Sequence, residues 1–164
     1  MSSTTNKTRK IIVTQALPYA NASLHLGHIL EAVQTDIWSR FQNKSGNECL
    51  FFCADDTHGT PVMLKAKELG ISPEDLIKDV QKDHEETYKL YDINFTNYHT
   101  THSDENKKYS EKIYLKAKEN NLITRKTINQ LFDEAESMFL SDRFVKGTCP
   151  KCGASDQYGD GCTK

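Results

Sequence analysis

The sequence predicts an α/β fold with a parallel sheet, followed by a small β-rich module. Two short apolar runs, residues 11–13 (Ile-Ile-Val) and 49–54 (Cys-Leu-Phe-Phe-Cys-Ala), are typical of buried strands. The pattern between them is that of an amphipathic helix, with one apolar face formed by Leu26, Leu30, Val33, Ile37 and Phe41. Strand, helix and strand in this order form a βαβ unit, so we expect the two strands to be parallel and this helix face to be buried.

The composition favours an ordinary globular protein. The 164 residues carry a net charge of −2, with 37% hydrophobic and 27% charged residues, so no basic field indicates nucleic acid. No apolar run is long enough to span a membrane, and the polar start has no apolar signal core. We therefore expect a cytoplasmic protein that has no membrane partner and whose residues 1–9 form a disordered tail.

Capping and turn residues divide the rest of the chain. They predict helices over residues 61–70, 72–91 and 103–121, with a short strand over residues 94–99. Beyond them, β-branched and apolar residues predict short strands within residues 122–132, 138–140 and 144–145. We therefore expect an α/β domain over residues 10–120 and a second, β-rich module over residues 121–164.

A pair of histidines follows the first predicted strand. His25 and His28 stand in the first turn of the predicted helix, where backbone N–H groups and the helix dipole favour an anion. Two imidazoles on one face add donors for phosphate oxygens. Gly27 lies between them without a side chain, so a flat group such as a base could approach the backbone. The alternative is an ordinary helix start with two surface histidines.

Two acidic residues, Asp55 and Asp56, follow the second predicted strand. The carboxyl ends of parallel strands meet at one edge of a sheet. This turn and the turn that joins the first strand to the two histidines, called the histidine turn below (residues 15–28), should therefore face the same crevice. A carboxylate there could hold a positive group such as the ammonium of an amino acid. The side chains of Leu17 and Tyr19 would line the pocket with apolar and aromatic surface, which suits a thioether group. The alternative is a turn with two solvated acids.

The last three of the five cysteines predict a zinc site. The sequence Thr-Cys-Pro-Lys-Cys-Gly is a knuckle turn that points the thiolates of Cys149 and Cys152 at one ion, and Cys162 begins a second half. Structural zinc takes four ligands, and a further cysteine directly after Lys164 would complete the repeat. A redox pair is the alternative for Cys-x-x-Cys, but it needs a strand–helix junction of its own. Cys49 and Cys53, inside an apolar strand, are expected to be inert core residues.

These motifs together resemble one known family. Residues 16–28 (Ala-Leu-Pro-Tyr-Ala-Asn-Ala-Ser-Leu-His-Leu-Gly-His) resemble the first signature of the class I aminoacyl-tRNA synthetases, in the form that the methionyl-tRNA synthetase family carries. Residues 55–61, 142–147 and 156–160 are similar to the same family. The resemblance extends from about residue 9 to the last residue.

The resemblance implies a fold, a reaction and a set of site residues. The fold would be the N-terminal half of a Rossmann-type parallel sheet, followed by a connective insertion with structural zinc. The reaction would be activation of L-methionine with ATP and Mg²⁺ to methionyl-adenylate, followed by transfer to tRNA(Met). His25 and His28 would be catalytic, and ATP would be bound by Thr14, His25, Gly27 and His28. Methionine would be bound by Leu17, Tyr19 and Asp56, and zinc by Cys149, Cys152 and Cys162.

Other features of the family are missing from these 164 residues. They include the second signature, a Lys-Met-Ser-Lys-Ser loop, and the anticodon-binding domain. We therefore interpret the chain as an N-terminal fragment and expect it to be inactive alone. Two alternatives remain open. A non-catalytic zinc-ribbon binding module would leave the histidine turn without a role, and a related His-x-x-His nucleotidyltransferase would need neither the zinc module nor the Asp56 pocket.

Overall fold

The computed structural model describes residues 8–135, 137–159 and 161–164. The first seven residues of the predicted disordered tail therefore lie outside the described residues. The chain divides into two compact units between Glu111 and Lys112, and each unit has sheets of its own. None of the described helices is long and apolar enough to cross a membrane.

The first unit contains a three-stranded parallel sheet in the order β1-β2-β3. Its strands are β1 (Lys10–Thr14), β2 (Glu48–Asp55) and β3 (Asn97–Thr100). Three helices lie between them in the chain, namely α1 (Leu26–Lys44), α2 (Thr60–Leu69) and α3 (Pro73–Leu90). The predicted parallel α/β unit is thus confirmed, and the three strands place their carboxyl ends at one edge.

Two apolar clusters form the core of the first unit. One joins the turn after β1 to α2 and α3 and consists of Ala20, Val62, Ala66, Leu76, Ile77 and Val80. The other joins α1, β2 and the end of α3 and consists of Ile29, Ala32, Phe51, Tyr88 and Ile93. Because α3 contributes to both clusters, it supports the carboxyl edge of β2 as well as the sheet.

The prediction of the buried face of α1 is wrong except at Val33, which is partly buried and packs against the second cluster. Leu30 is 59% exposed and Phe41 is 62% exposed, whereas the buried residues of the helix are Ile29, Ala32, Asp36 and Ser39. At 100° per residue the buried stripe lies roughly a third of a turn away from the predicted one. Polar residues obscure it in the sequence, and Asp36 is satisfied there by hydrogen bonds from Arg40 Nε (2.5 Å) and the Asn94 amide (3.1 Å).

The second unit holds two short antiparallel pairs. β4 (Phe132–Asp133) pairs with β5 (Met138–Phe139), and β6 (Lys146–Gly147) pairs with β7 (Gln157–Tyr158). The helix α4 (Asp104–Glu119) precedes them, and a 3₁₀ turn, Asp142–Phe144, lies between the two pairs.

The strand predicted for residues 122–132 is therefore absent except at its last residue, and the piece 144–145 does not form one. The side chains of Leu122 and Ile128 are 76% and 68% exposed, so no packing supports an extended ladder there.

Candidate active site

The turn that follows β1 lies against the end of β2. The Ala20 amide donates to the Asp56 carbonyl at 2.9 Å, and the Asp56 amide donates to the Pro18 carbonyl at 2.9 Å. Tyr19 and Asp56 are neighbours in a parallel bridge. The two turns that the sequence predicts to share a crevice are thus joined by backbone hydrogen bonds, with Tyr19 beside Asp56.

His25 and His28 form the N-terminal cap of α1. His25 is the N-cap residue, and its Nδ1 accepts a hydrogen bond from the Gly27 amide at 3.1 Å. In return, His28 Nδ1 accepts from the His25 amide at 3.3 Å. This is a capping box in which imidazoles replace the usual hydroxyl and carboxylate. Both rings are therefore oriented by the backbone of the helix start.

The capping bonds determine which nitrogen each ring offers to a ligand. Because Nδ1 accepts in both rings, a neutral imidazole carries its hydrogen on Nε2. The rings of His25 and His28 are stacked, with centroids 3.7 Å apart and planes 17° from parallel. Partial burial, followed by the proximity of His25 and of His84, lowers the pKa of His28. The stacked pair thus presents two Nε2–H donors, which suit phosphate oxygens.

Gly27 is needed for this arrangement. A Cβ atom at Gly27 would lie 2.9 Å from Cε1 and 3.0 Å from Nδ1 of His25. The glycine therefore leaves room for the His25 ring to fold back onto the helix start, a reason different from the approach of a base that the sequence suggests. Thr14, predicted to contact ATP, is the exposed last residue of β1, on the carboxyl edge that leads to the histidine turn.

The two neighbouring acids have different environments. Asp55 is fully buried, and its Oδ1 accepts from Tyr98 Oη at 2.5 Å and lies 2.6 Å from His84 Nδ1. Asp56 is half-buried, and no residue in the described part of the chain donates a hydrogen bond to its carboxylate. The Asp55 carboxylate is thus occupied by contacts in the interior, whereas the Asp56 carboxylate is available to a ligand.

Tyr19 is held at this edge by a contact that the sequence did not predict. Its hydroxyl donates to the His58 carbonyl at 2.6 Å. The next residue, Gly59, has a φ of +117°, and a Cβ atom there would lie 2.4 Å from the Tyr19 hydroxyl oxygen. Leu17, the other predicted wall residue, is 41% exposed. The Tyr19 ring is therefore fixed by the turn after β2, beside Asp56.

His84 is a buried residue of the site region that the sequence analysis missed. It lies on α3, its side chain has no exposed surface, and its Nε2 is 2.9 Å from the Ala22 carbonyl oxygen in the histidine turn. A single histidine in a helical pattern gives no sign of such contacts, since both partners are distant in sequence. Only the packing of α3 against the end of β2 brings them together.

The three predicted zinc ligands converge in the second unit. The Sγ atoms of Cys149, Cys152 and Cys162 lie within 4.8 Å of one another, and all three cysteines are free. Hydrogen bonds from the backbone amides of Cys152 and Lys151 lower the pKa of Cys149 to about 7. This favours a thiolate at Cys149 at neutral pH, and three cysteine sulfurs that meet at one point fit zinc. In the first unit, by contrast, burial raises the pKa of Cys53 to about 12, which fits an inert core residue.

Comparisons with known proteins show the family of the chain. Residues 11–164 match the family model of the tRNA synthetases class I (M). The methionine–tRNA ligase of Leptospira biflexa serovar Patoc is 61% identical over 154 residues, which are 94% of this chain and 23% of the ligase. The chain thus spans about a quarter of the length of the curated relatives that it matches.

Solved structures show the same fold. Methionyl-tRNA synthetase of Mycobacterium tuberculosis in complex with methionyl-adenylate superimposes with a TM-score of 0.74 at 18% identity, over 93% of this chain and 31% of that one. The leucyl enzyme (LeuRS) of Agrobacterium radiobacter K84, in a ternary complex with tRNA and LeuAMS, gives 0.72 at 22% identity, over 94% and 20%. The parallel sheet is therefore the Rossmann-like sheet of these enzymes, and the chain belongs to the family of tRNA synthetases class I (M).

Proposed function

We propose that the chain supplies the methionine-activating part of a longer methionine–tRNA ligase, which forms methionyl-adenylate from L-methionine and ATP and transfers methionine to tRNA(Met). One observation carries this proposal. The turn after β1 ends in the stacked His25–His28 pair, and the start of the same turn places Tyr19 beside the available carboxylate of Asp56. The 61% identity to a methionine–tRNA ligase supports the choice of amino acid.

The first chemical step makes few demands on the protein. A methionine carboxylate oxygen attacks the α-phosphorus of ATP, the bond to the bridging oxygen breaks, and pyrophosphate leaves with the electron pair. The attacking carboxylate is already ionised, so no general base is needed. Charge moves onto the phosphate oxygens in the transition state, where fixed Nε2–H donors stabilise it more than in the ground state. His25 and His28 therefore act as catalytic donors, with Thr14 and Gly27 beside the phosphates.

Asp56 has the complementary role. Its carboxylate accepts a charge-assisted hydrogen bond from the substrate ammonium and so orients the attacking carboxylate. Tyr19 and Leu17 form the wall for the thioether side chain, because sulfur packs favourably against aromatic rings. Both ends of methionine are thereby held at the carboxyl edge of the sheet, where α/β proteins place their ligands.

Further parts of the proposal concern metals, partners and organisation. Mg²⁺ bound with ATP would neutralise phosphate charge, and zinc on Cys149, Cys152 and Cys162 would order the small loop around it. The zinc-bearing part is a connective insertion over residues 121–164, and residues 10–120 are the first half of the catalytic domain. The two solved structures, one in complex with methionyl-adenylate and one in a ternary complex with tRNA and LeuAMS, support ATP, methionine and tRNA as ligands. The ligase would act in the cytoplasm.

Methionine-dependent exchange between ATP and labelled pyrophosphate tests the proposal. The sample is a chimera in which residues 11–164 replace the matching part of the Leptospira biflexa ligase. We expect robust exchange with methionine and none without it, and no exchange by the 164-residue chain alone. Exchange that does not need methionine would favour the nucleotidyltransferase alternative. Zinc binding without exchange by the chimera would favour the zinc-ribbon module.

A further inference from the structure

The imidazole of His84 donates hydrogen bonds from both nitrogens. Nε2 lies 2.9 Å from the Ala22 carbonyl oxygen, and since a carbonyl oxygen can only accept, Nε2 carries a hydrogen. Nδ1 lies 2.6 Å from Asp55 Oδ1, which also accepts from the Tyr98 hydroxyl. His84 and Asp55 have no exposed surface, so both bonds are shielded from water.

The charge of His84 follows from these partners. Burial by itself lowers the pKa of His84, but the hydrogen bonds to Asp55 and to the Ala22 carbonyl, together with the charge of Asp55, outweigh it and raise the pKa. A doubly protonated ring beside the Asp55 carboxylate is a buried ion pair, in which Oδ1 of Asp55 is hydrogen-bonded and Oδ2 is buried without a hydrogen-bond partner among the described residues. His84 thus joins α3 to the end of β2 and to the histidine turn.

The bond to Ala22 lies at a critical point of that turn. Up to Ala20 the turn is held by backbone hydrogen bonds to Asp56, and from His25 onwards it is held by the capping box. Between Asn21 and His25, the described residues provide one further hydrogen bond to the turn, the one from His84 to the Ala22 carbonyl. The direction in which the turn enters α1 therefore depends on this bond and on the packing of Leu24 against the core cluster that contains Ile29.

We infer that His84 is a positioning residue for adenylate formation, because its Nε2–H bond to the Ala22 carbonyl sets the position at which the His25–His28 pair meets the phosphates of ATP. This inference rests on the proposed function. Displacement of catalytic groups by about 1 Å can lower a rate by about 10²-fold, so one hydrogen bond at this point has a measurable effect.

Two substitutions separate the two bonds of His84. In His84→Asn the amide nitrogen takes the place of Nδ1, so that it donates to Asp55 but does not reach Ala22. In His84→Gln the amide nitrogen takes the place of Nε2, so that it donates to the Ala22 carbonyl but loses Asp55. We expect the Asn variant of the chimera to lose about 10- to 100-fold in kcat of pyrophosphate exchange, with KM for methionine within about twofold. We expect the Gln variant to keep kcat within about threefold of the wild type. It should have a lower Tm, because the buried Asp55 loses its bond to the imidazole and keeps only the one from Tyr98 among the described residues.

The opposite ranking would overturn the inference. If the Asn variant keeps the wild-type kcat, or if the Gln variant loses as much as the Asn variant while it is still folded, the bond to Ala22 does not position the histidines. An Asn variant that does not fold would overturn it as well, because that bond would then support the fold.

A spectroscopic measurement on the 164-residue chain separates this inference from the proposed function. In ¹⁵N spectra, His84→Asn should shift the backbone amide resonances of residues 22–28, and His84→Gln should leave them near their wild-type positions. Equal shifts in both variants would overturn the inference even where the chimera is active. A wild-type chimera without methionine-dependent exchange, combined with the expected shifts, would overturn the proposed function alone.

Discussion

Asp56→Asn removes the charge proposed to hold the substrate ammonium and leaves the size of the side chain almost unchanged. The carboxylate accepts no hydrogen bond within the described part of the chain, and the backbone bonds of Asp56 to Pro18 and Ala20 do not depend on it. We therefore expect little change in stability, with Tm within about 2 °C of the wild type, since surface substitutions away from special features cost at most about 0.5 kcal/mol.

The effect on methionine use should be large. A hydrogen bond to a charged group contributes about 1.5–3 kcal/mol, which corresponds to roughly a 10- to 100-fold loss in kcat/KM for methionine. The assay is pyrophosphate exchange by the chimera over a range of methionine concentrations. Because ATP does not contact this carboxylate in the proposed arrangement, KM for ATP should change by less than about twofold.

Asp55→Asn is the matched control. Asp55 is fully buried and accepts from Tyr98 and His84, so its substitution leaves the imidazolium without its anion. Breaking a buried pair from one side costs about 3–5 kcal/mol, or roughly 10–20 °C in Tm for a unit of this size. At a temperature at which both variants are folded, methionine use should fall less than in Asp56→Asn. Equal losses in kcat/KM, or a larger loss for Asp55→Asn, would refute the assignment of Asp56.

Three further predictions concern residues that shape the two sites. Gly27→Ala should lower kcat of exchange by about tenfold or more, because its Cβ would displace the His25 ring; kinetics of the chimera would show this, and an unchanged kcat would contradict it. Gly59→Ala should raise KM for methionine and lower Tm, because the added Cβ atom would clash with the Tyr19 hydroxyl. The φ of +117° adds backbone strain of about 1–3 kcal/mol, and a wild-type Tm would argue against this strain. Cys152→Ser should reduce the zinc that remains after dialysis against a chelator, measured by metal analysis, and equal retention would exclude that thiolate as a ligand.

The sequence was sufficient where local chemistry determines structure. The first strand, the helix that starts at the histidines and the second strand are found as predicted, because apolar runs and capping residues act over short distances. Ser72, the first residue of the helix predicted over residues 72–91, is its N-cap and accepts from the Asp75 amide at 3.0 Å, and Gly70 ends α2 with a φ of +69°. The meeting of the two turns also followed from the parallel arrangement of β1 and β2.

The sequence was insufficient where tertiary contacts determine structure. Apolar residues occupy two stripes on α1, and periodicity alone cannot tell which of them packs on the sheet. The buried stripe contains Asp36, whose burial depends on Arg40 and Asn94. The pairing of Asp55 with His84 joins β2 to α3, and no pattern within either element indicates it.

The sequence alone was also insufficient to assign different roles to the two neighbouring acids. Asp55 and Asp56 are chemically identical and adjacent, and the sequence suggested the second as the ligand group by resemblance alone. The alternation of β2 places Asp55 in the interior and leaves the Asp56 carboxylate without a partner among the described residues. The structure thereby adds a physical reason for the assignment, which stays a prediction until methionine binding is measured.

The most direct test of the central proposal is pyrophosphate exchange by the chimera with His25→Ala and with His28→Ala. If the stacked imidazoles donate to phosphate oxygens in the transition state, each substitution should lower kcat by about 10²–10³-fold and leave KM for methionine within about twofold. A change in KM for methionine with an unchanged kcat, in either variant, would contradict the proposal that this pair stabilises the transition state of adenylate formation.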